Sequence, residues 1–196
     1  MTHSPSASPV DRILSLLDEM TSNSQEMSLW KNVPLSREVV SLLRTLTPEE
    51  GDSEDKADVL DRVLYNLSEW DVPRYVLEVL SYEEELLLQA GSEEALRGVR
   101  SRMEMLRDYI DPSLSKKDFR DRWKVRSLDF DEVERTPKWE EIYLEVEREC
   151  DSILEATPRG MGFCHAYWPV KMRLLEKRYG IAWKSPSRMN PRVHFD

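Results

Sequence analysis

Between residues 53 and 70, Val59, Leu60, Val63, Leu64 and Leu67 fall at i, i+1, i+4, i+5 and i+8. That spacing lines one side of a helix turning every 3.6 residues. A chain whose apolar residues recur this way cannot lay them on one face of a strand, where the period is two. The same helical spacing returns along most of the 196 residues, and only a short stretch at 192–195 hints at alternation. The expected fold class is therefore all-α: a single compact bundle of about seven or eight helices with an extended C-terminal tail packed across it. The boundaries read as a flexible N-terminal lead over residues 1–8, a helical domain over 9–182 and the tail over 183–196.

Start and stop signals place the helices. Ser8, Pro9 and Asp11 mark a start, with serine as cap, proline in the first position and an acid in the first turn. This first helix is expected to reach about Met20, where the polar run Thr21, Ser22, Asn23 and Ser24 ends it. A short piece around Met27, Leu29 and Trp30 is closed by Pro34, because a residue before proline avoids helical geometry. Ser36 then starts a second helix bearing Val39, Val40, Leu43 and Leu46. The third spans 53 to about 70, the fourth starts at Pro73 and stops before Gly91, and the fifth carries Leu96, Val99, Met103, Leu106 and Ile110 as far as Pro112. Ser115 caps a short sixth helix presenting Phe119 and Trp123. Residues 127–135 lack periodicity and read as a loop. Thr136 and Pro137 open a seventh helix that turns Trp139, Ile142, Tyr143, Val146, Cys150, Ile153 and Leu154 inward. Its outward face reads as acidic, with Glu140, Glu141, Glu145, Glu147, Glu149 and Asp151.

Charge separates the last segment from the rest. The chain carries a formal charge of -10, yet residues 160–196 hold seven basic residues against two acidic ones, a net +5, leaving -15 on residues 1–159. An acidic body disfavours non-specific contact with nucleic acid or an anionic membrane. No apolar run approaches the length of a membrane span, and the N-terminus shows no secretory signal pattern. Two cysteines, one of them at a core position, read as reduced thiols in a cytoplasmic protein.

Residues 160–196 also concentrate the unusual chemistry. Drawn as a helix, Phe163, Tyr167, Trp168, Val170, Leu174 and Leu175 form a broad apolar arc that also contains Lys171 and Arg178. Those cations could hold a carboxylate or phosphate, or lie across apolar surface and pair with the acidic seventh helix. Pro169 has two readings. A helix already running from Phe163 would leave the His165 carbonyl without its partner; a helix beginning near Trp168 would place proline harmlessly in the first turn. Gly180 reads as a left-handed cap, after which Ile181 folds back on the helix end. Beyond it, Trp183, Met189, Val193 and Phe195 are anchors too apolar to float.

Cys164 beside His165 suggests a nucleophile and a base, although neighbours on a helix diverge by about 100°. A zinc site from Cys150, Cys164, His165 and His194 matches no paired-ligand spacing. The acidic loop cluster Asp129, Asp131, Glu132 and Glu134 lacks the glycine of a calcium loop. Phosphate-loop, dinucleotide, metalloprotease and serine-elbow patterns are absent, so no cofactor or metal is expected. The sequence thus reads as a non-enzymatic protein-interaction or regulatory module, its partner another protein. The candidate binding residues are Cys164, His165, Tyr167, Trp168, Lys171, Arg178 and Trp183. Two alternatives stay open: an enzyme or small-anion-binding protein with a site around Cys164, His165, Lys171 and Arg178, and single-stranded nucleic-acid binding through the basic, aromatic end.

Overall fold

The computed structural model describes residues 8–125 and 128–195. Most of the expected lead, the start of the expected loop at 127 and the terminal Asp196 lie outside them. The helices are α1 (Pro9–Gln25), α2 (Asn32–Leu43), α3 (Ser53–Tyr65), α4 (Pro73–Ala90), α5 (Glu93–Ile110), α6 (Lys116–Trp123), α7 (Pro137–Ile153), α8 (Phe163–Tyr179) and α9 (Pro186–Met189). Single 3-10 turns lie at Leu29–Lys31 and Glu132–Arg135. The described residues contain no strand, so the fold is all-α, and residues 192–195 continue from a turn. No described helix is long and apolar enough to cross a membrane. Contacts divide the chain into two units: one takes the residues up to Glu69 with Tyr75–Glu104, the other Trp70–Arg74 with Met105 onward.

In the first unit, Ile13, Leu16, Leu17 and Met20 of α1 are buried with Val33, Val39 and Leu43 of α2 and Leu60, Val63 and Leu64 of α3. Ser8 and Asp11 close a reciprocal capping box at the start of α1. Three boundaries differ from expectation, each for a local reason. The first helix continues through the polar run to Gln25, since Thr21 and Ser24 donate their hydroxyls to the carbonyls of Leu17 and Met20 one turn back. Pro34 does not close a segment but lies in the first turn of α2, where no intrahelical N–H is required. Ser36, expected to start the second helix, instead lies inside α2, buried, and donates to the Val33 carbonyl. The third helix stops at Tyr65 because Asn66 turns the chain, its amide donating to the Arg62 carbonyl. Asn32 then joins the ends of α1 and α3 through bonds to the carbonyls of Met20 (3.0 Å) and Asn66 (2.9 Å). Leu14 of α1 is 47% exposed, whereas Leu16 is fully buried.

The same unit buries one carboxyl group. Glu83 of α4 is 5% exposed, and its Oε2 has no hydrogen-bond partner among the described residues. Burial, reinforced by Asp61 and opposed by Arg102, pushes its pKa up to about 7. Because the folded state then holds a proton that the unfolded chain has released, stability falls as pH rises from about 4.5 through 7. Glu83→Gln is expected to raise stability by about 2 kcal/mol at pH 8 and to change little at pH 4. Urea unfolding at the two pH values checks this.

In the second unit, Trp70 meets Tyr109 and Phe119 edge to face, with Trp70 and Tyr109 ring centroids 5.0 Å apart, and Tyr109 packs at a tilt against Phe119 and Phe130. The expected loop is partly ordered into the 3-10 turn, which Asp131 caps through the Val133 N–H. Around α7 and α8 a further core gathers Trp139, Ile142, Val146, Cys150, Leu175 and Trp183. Ile153, expected inward, is 55% exposed at the helix end, and Ile110 and Leu154 are only half-buried. Glu147 is on the buried side of α7 rather than its outer face: it follows Tyr143 by four residues and precedes Cys150 by three.

Of the two readings of Pro169, the first holds: α8 already runs from Phe163, with Gly162 at φ 79° ahead of it and Pro169 inside it. Gly180 ends α8 in the left-handed region at φ 65°, and Ile181 folds back with its N–H on the Leu175 carbonyl. The tail is not extended throughout, because Pro186 opens the helical turn α9. It is fastened to the 129–134 segment at three points. Trp183 donates its indole N–H to Glu134 (3.0 Å), the Lys184 N–H meets Asp131 (2.8 Å), and the Asn190 amide pairs with both backbone groups of Asp129 (2.7 and 2.8 Å).

Candidate functional site

The residues singled out in 160–196 go to three different environments. Lys171, Tyr167 and Trp183 meet in a buried cage. Lys171 and Glu147 side chains are each 7% exposed and form an ion pair at 2.6 Å. The Tyr167 hydroxyl donates to the same carboxylate oxygen at 2.5 Å. Four rings surround the ammonium, with centroids at 4.8 Å (Trp139), 5.4 Å (Trp183), 5.5 Å (Tyr167) and 5.7 Å (Tyr143). Burial alone would lower the Lys171 pKa, but Glu147 and Asp71 outweigh it and hold the amine above its ordinary value. A lysine kept cationic this way is neither a nucleophile nor a base. The adjoining Cys150 thiol is pushed up to about 12 by burial and the Glu147 charge, so it stays protonated. The cage therefore acts as an internal strut between α7 and α8.

Arg178 does not join Lys171. Its side chain is 48% exposed at the last turn of α8 and pairs with Glu149 and Glu145 of α7, the latter at 3.6 Å. Cys164 is half-buried. His165 is exposed and turns its Nε2 to the Phe195 carbonyl at 2.9 Å, and no hydrogen bond joins it to Cys164 among the described residues. The acidic cluster is engaged internally: Asp129 pairs with Lys116 (3.0 Å), Glu132 with Arg135 (2.9 Å), and Asp131 and Glu134 hold the tail. No group of three or more His, Cys, Asp or Glu side chains among the described residues could hold a metal ion.

His165 and Trp168 instead line an open cleft of about 390 Å³ between α8 and the α9 segment. Trp168, Pro169 and Met172 give it an apolar floor, while Arg173 and Arg188 supply cationic groups and Glu176 a single acid. Ser185 and Ser187 line the far wall, their hydroxyls 3.1 Å apart. Trp168 is held edge-on by Phe195 at 5.1 Å and faces His165 at 6.2 Å, so the tail sets the position of the indole. Neither Arg173 nor Arg188 forms an ion pair among the described residues, whereas the Lys171 and Arg178 charges are neutralised by glutamates of α7.

Sequence reasoning reached His165 and Trp168 but not Arg173, Arg188, Ser185 or Ser187. The usable signal was the three- and four-residue spacing of Trp168, Met172, Arg173 and Glu176 along one side of α8. The α9 half depends on how the chain turns after Gly180, which no local pattern encodes. Comparison of the chain with protein-family models, with curated proteins and with solved structures finds no match.

Proposed function

We propose that the protein is a non-enzymatic interaction module whose contact surface is its basic, aromatic C-terminal region, α8 and the segment that follows, and whose partner is another protein. One observation carries this reading. In a chain of charge -10, two arginines line one cleft with no ion-pair partner among the described residues. Unpaired guanidinium groups over an apolar floor suit an acidic partner surface, where planar forks meet carboxylates and an indole supplies contact area. The surrounding surface adds Lys177, Lys184 and Arg192, all exposed. Opposite charge on the partner would speed encounter and weaken with salt.

Truncating the tail is a poor test, since Trp183 is 6% exposed and belongs to the core. Charge reversal is cleaner. Full-length protein carrying Arg173→Glu with Arg188→Glu is expected to lose the partners that the wild type captures at low salt, and to unfold at the same temperature as wild type. Arg62→Glu with Arg97→Glu in the first unit is expected to keep them. Equal capture by both double variants would overturn the reading.

A further inference from the structure

We infer, building on the interaction reading above, that the α8–α9 cleft recognises a phosphate monoester on an extended segment of the partner, that is, a phosphorylated serine or threonine. A carboxylate has two oxygens and a single negative charge, which one guanidinium fork can match. A phosphate monoester carries three terminal oxygens and about -1.5 to -2 charges at neutral pH, and so uses two forks and further donors. The cleft offers that larger donor set: Arg173 from α8, Arg188 from α9 and the Ser185–Ser187 hydroxyl pair. Ser185 supports this assignment. It is 3% exposed at the cap position of α9, yet its side chain makes no capping bond and pairs with Ser187 across 3.1 Å. When one hydroxyl of such a pair donates to the other, one O–H is left to donate outward. The single acid on the cleft, Glu176, reduces the net positive charge without matching both arginines.

Two features favour a peptide as the carrier. His165, Pro169, Arg173, Glu176 and Arg188 are all exposed, so the cleft would leave a free small phosphate largely in water, whereas small-molecule sites bury most of their ligand. A peptide extends past the phosphate and adds contacts to Trp168, Pro169 and Met172. The -15 charge on residues 1–159 opposes a long polyanion more than a short segment bearing one phosphate.

Fluorescence anisotropy tests this with full-length protein and four probes: a labelled peptide library with phosphoserine at its fixed centre, the same library with serine, the same with glutamate, and a labelled oligonucleotide. Inorganic phosphate serves as competitor. The phosphoserine library is expected to bind at least about tenfold more tightly than the other two libraries. Arg173→Glu and Arg188→Glu should each remove that preference, Ser187→Ala should weaken it, and inorganic phosphate should displace the peptide only weakly. All three substitutions lie on exposed or half-buried positions, and unchanged thermal unfolding confirms the fold. Equal binding of the glutamate and phosphoserine libraries would overturn the phosphate assignment. So would binding of the oligonucleotide or of inorganic phosphate without any peptide. If the charge-reversed protein loses its captured partners while no phosphoserine peptide binds the wild type, the ligand class is wrong and the interaction reading stands. If capture is unchanged as well, both fall.

Discussion

Glu147→Ala is expected to destabilise the protein by about 3–5 kcal/mol, because it strands the Lys171 ammonium in a site where its side chain is 7% exposed. The same substitution removes the acceptor of the Tyr167 hydroxyl and opens space beside Cys150. The four rings around Lys171 attract the cation but cannot replace a counter-charge, since each contributes about 0.5–2 kcal/mol. Replacing both partners, as Glu147→Leu with Lys171→Met, is expected to be milder than either single change, because no buried charge remains, with a residual cost of about 1–3 kcal/mol from the Tyr167 hydroxyl left without its acceptor. A double-mutant cycle by urea unfolding measures the coupling. If Glu147→Ala cost under 1 kcal/mol, the ion pair would not be the strut described above. Alkaline pH gives a second readout. Tyr143 and Tyr167 are raised well above the usual phenol range, by burial first and then by nearby carboxylates, and Lys171 is raised as well. In all three cases the folded state keeps a proton that the unfolded chain has lost, so stability falls as pH rises above about 10. The doubly substituted protein should show a shallower fall.

How far these features could be read from the chain depends on whether neighbours in sequence decide them. Helix α3 was legible because Leu60, Val63 and Leu64 need only their own spacing to share a face. Gly180 was legible because a left-handed cap is a local backbone event. Lys171 was legible as a cation within an apolar arc, but its destination was not. Glu147 shares the helical spacing of Tyr143 and Cys150, but among six acids on α7 its charge argues for the outer face, and the Lys171 counter-charge that allows its burial comes from α8. The ends of α1 and α3 depend on side-chain bonds that apolar spacing does not report: Thr21 and Ser24 bond one turn back, and Asn66 bonds to the Arg62 carbonyl. The cleft was half legible. Its α8 side follows helical spacing, whereas its α9 side is brought back by Trp183, Lys184 and Asn190 bonding to residues about 50–60 positions earlier.

Arg135 had no local signal at all, and its replacement has the second large expected effect. Its side chain is 7% exposed and all of its nitrogens are engaged. Nε donates to the Tyr109 carbonyl, Nη2 to the carbonyls of Asp111 (2.7 Å), Leu114 (2.8 Å) and Asp108 (3.3 Å), and Nη1 to Glu132 (2.9 Å). The last carbonyls of a helix have no partner within it and carry its negative pole, so a buried guanidinium at the end of α5 satisfies both needs. It also lies over the Tyr109 ring and ties the 3-10 turn to that helix end. Arg135→Met keeps the apolar stem and leaves these carbonyls buried without donors. At about 1 kcal/mol for each of three good bonds, the expected loss is about 3 kcal/mol. Arg135→Lys preserves the charge but not the fork, and should recover less than half of that. Hydrogen exchange discriminates this from a simple loss of packing: amides of the last turn of α5 and of 111–114 should exchange faster in Arg135→Met by a larger factor than those of α8. Uniform acceleration across the second unit would mean that Arg135 acts through general stability and not as the cap of α5.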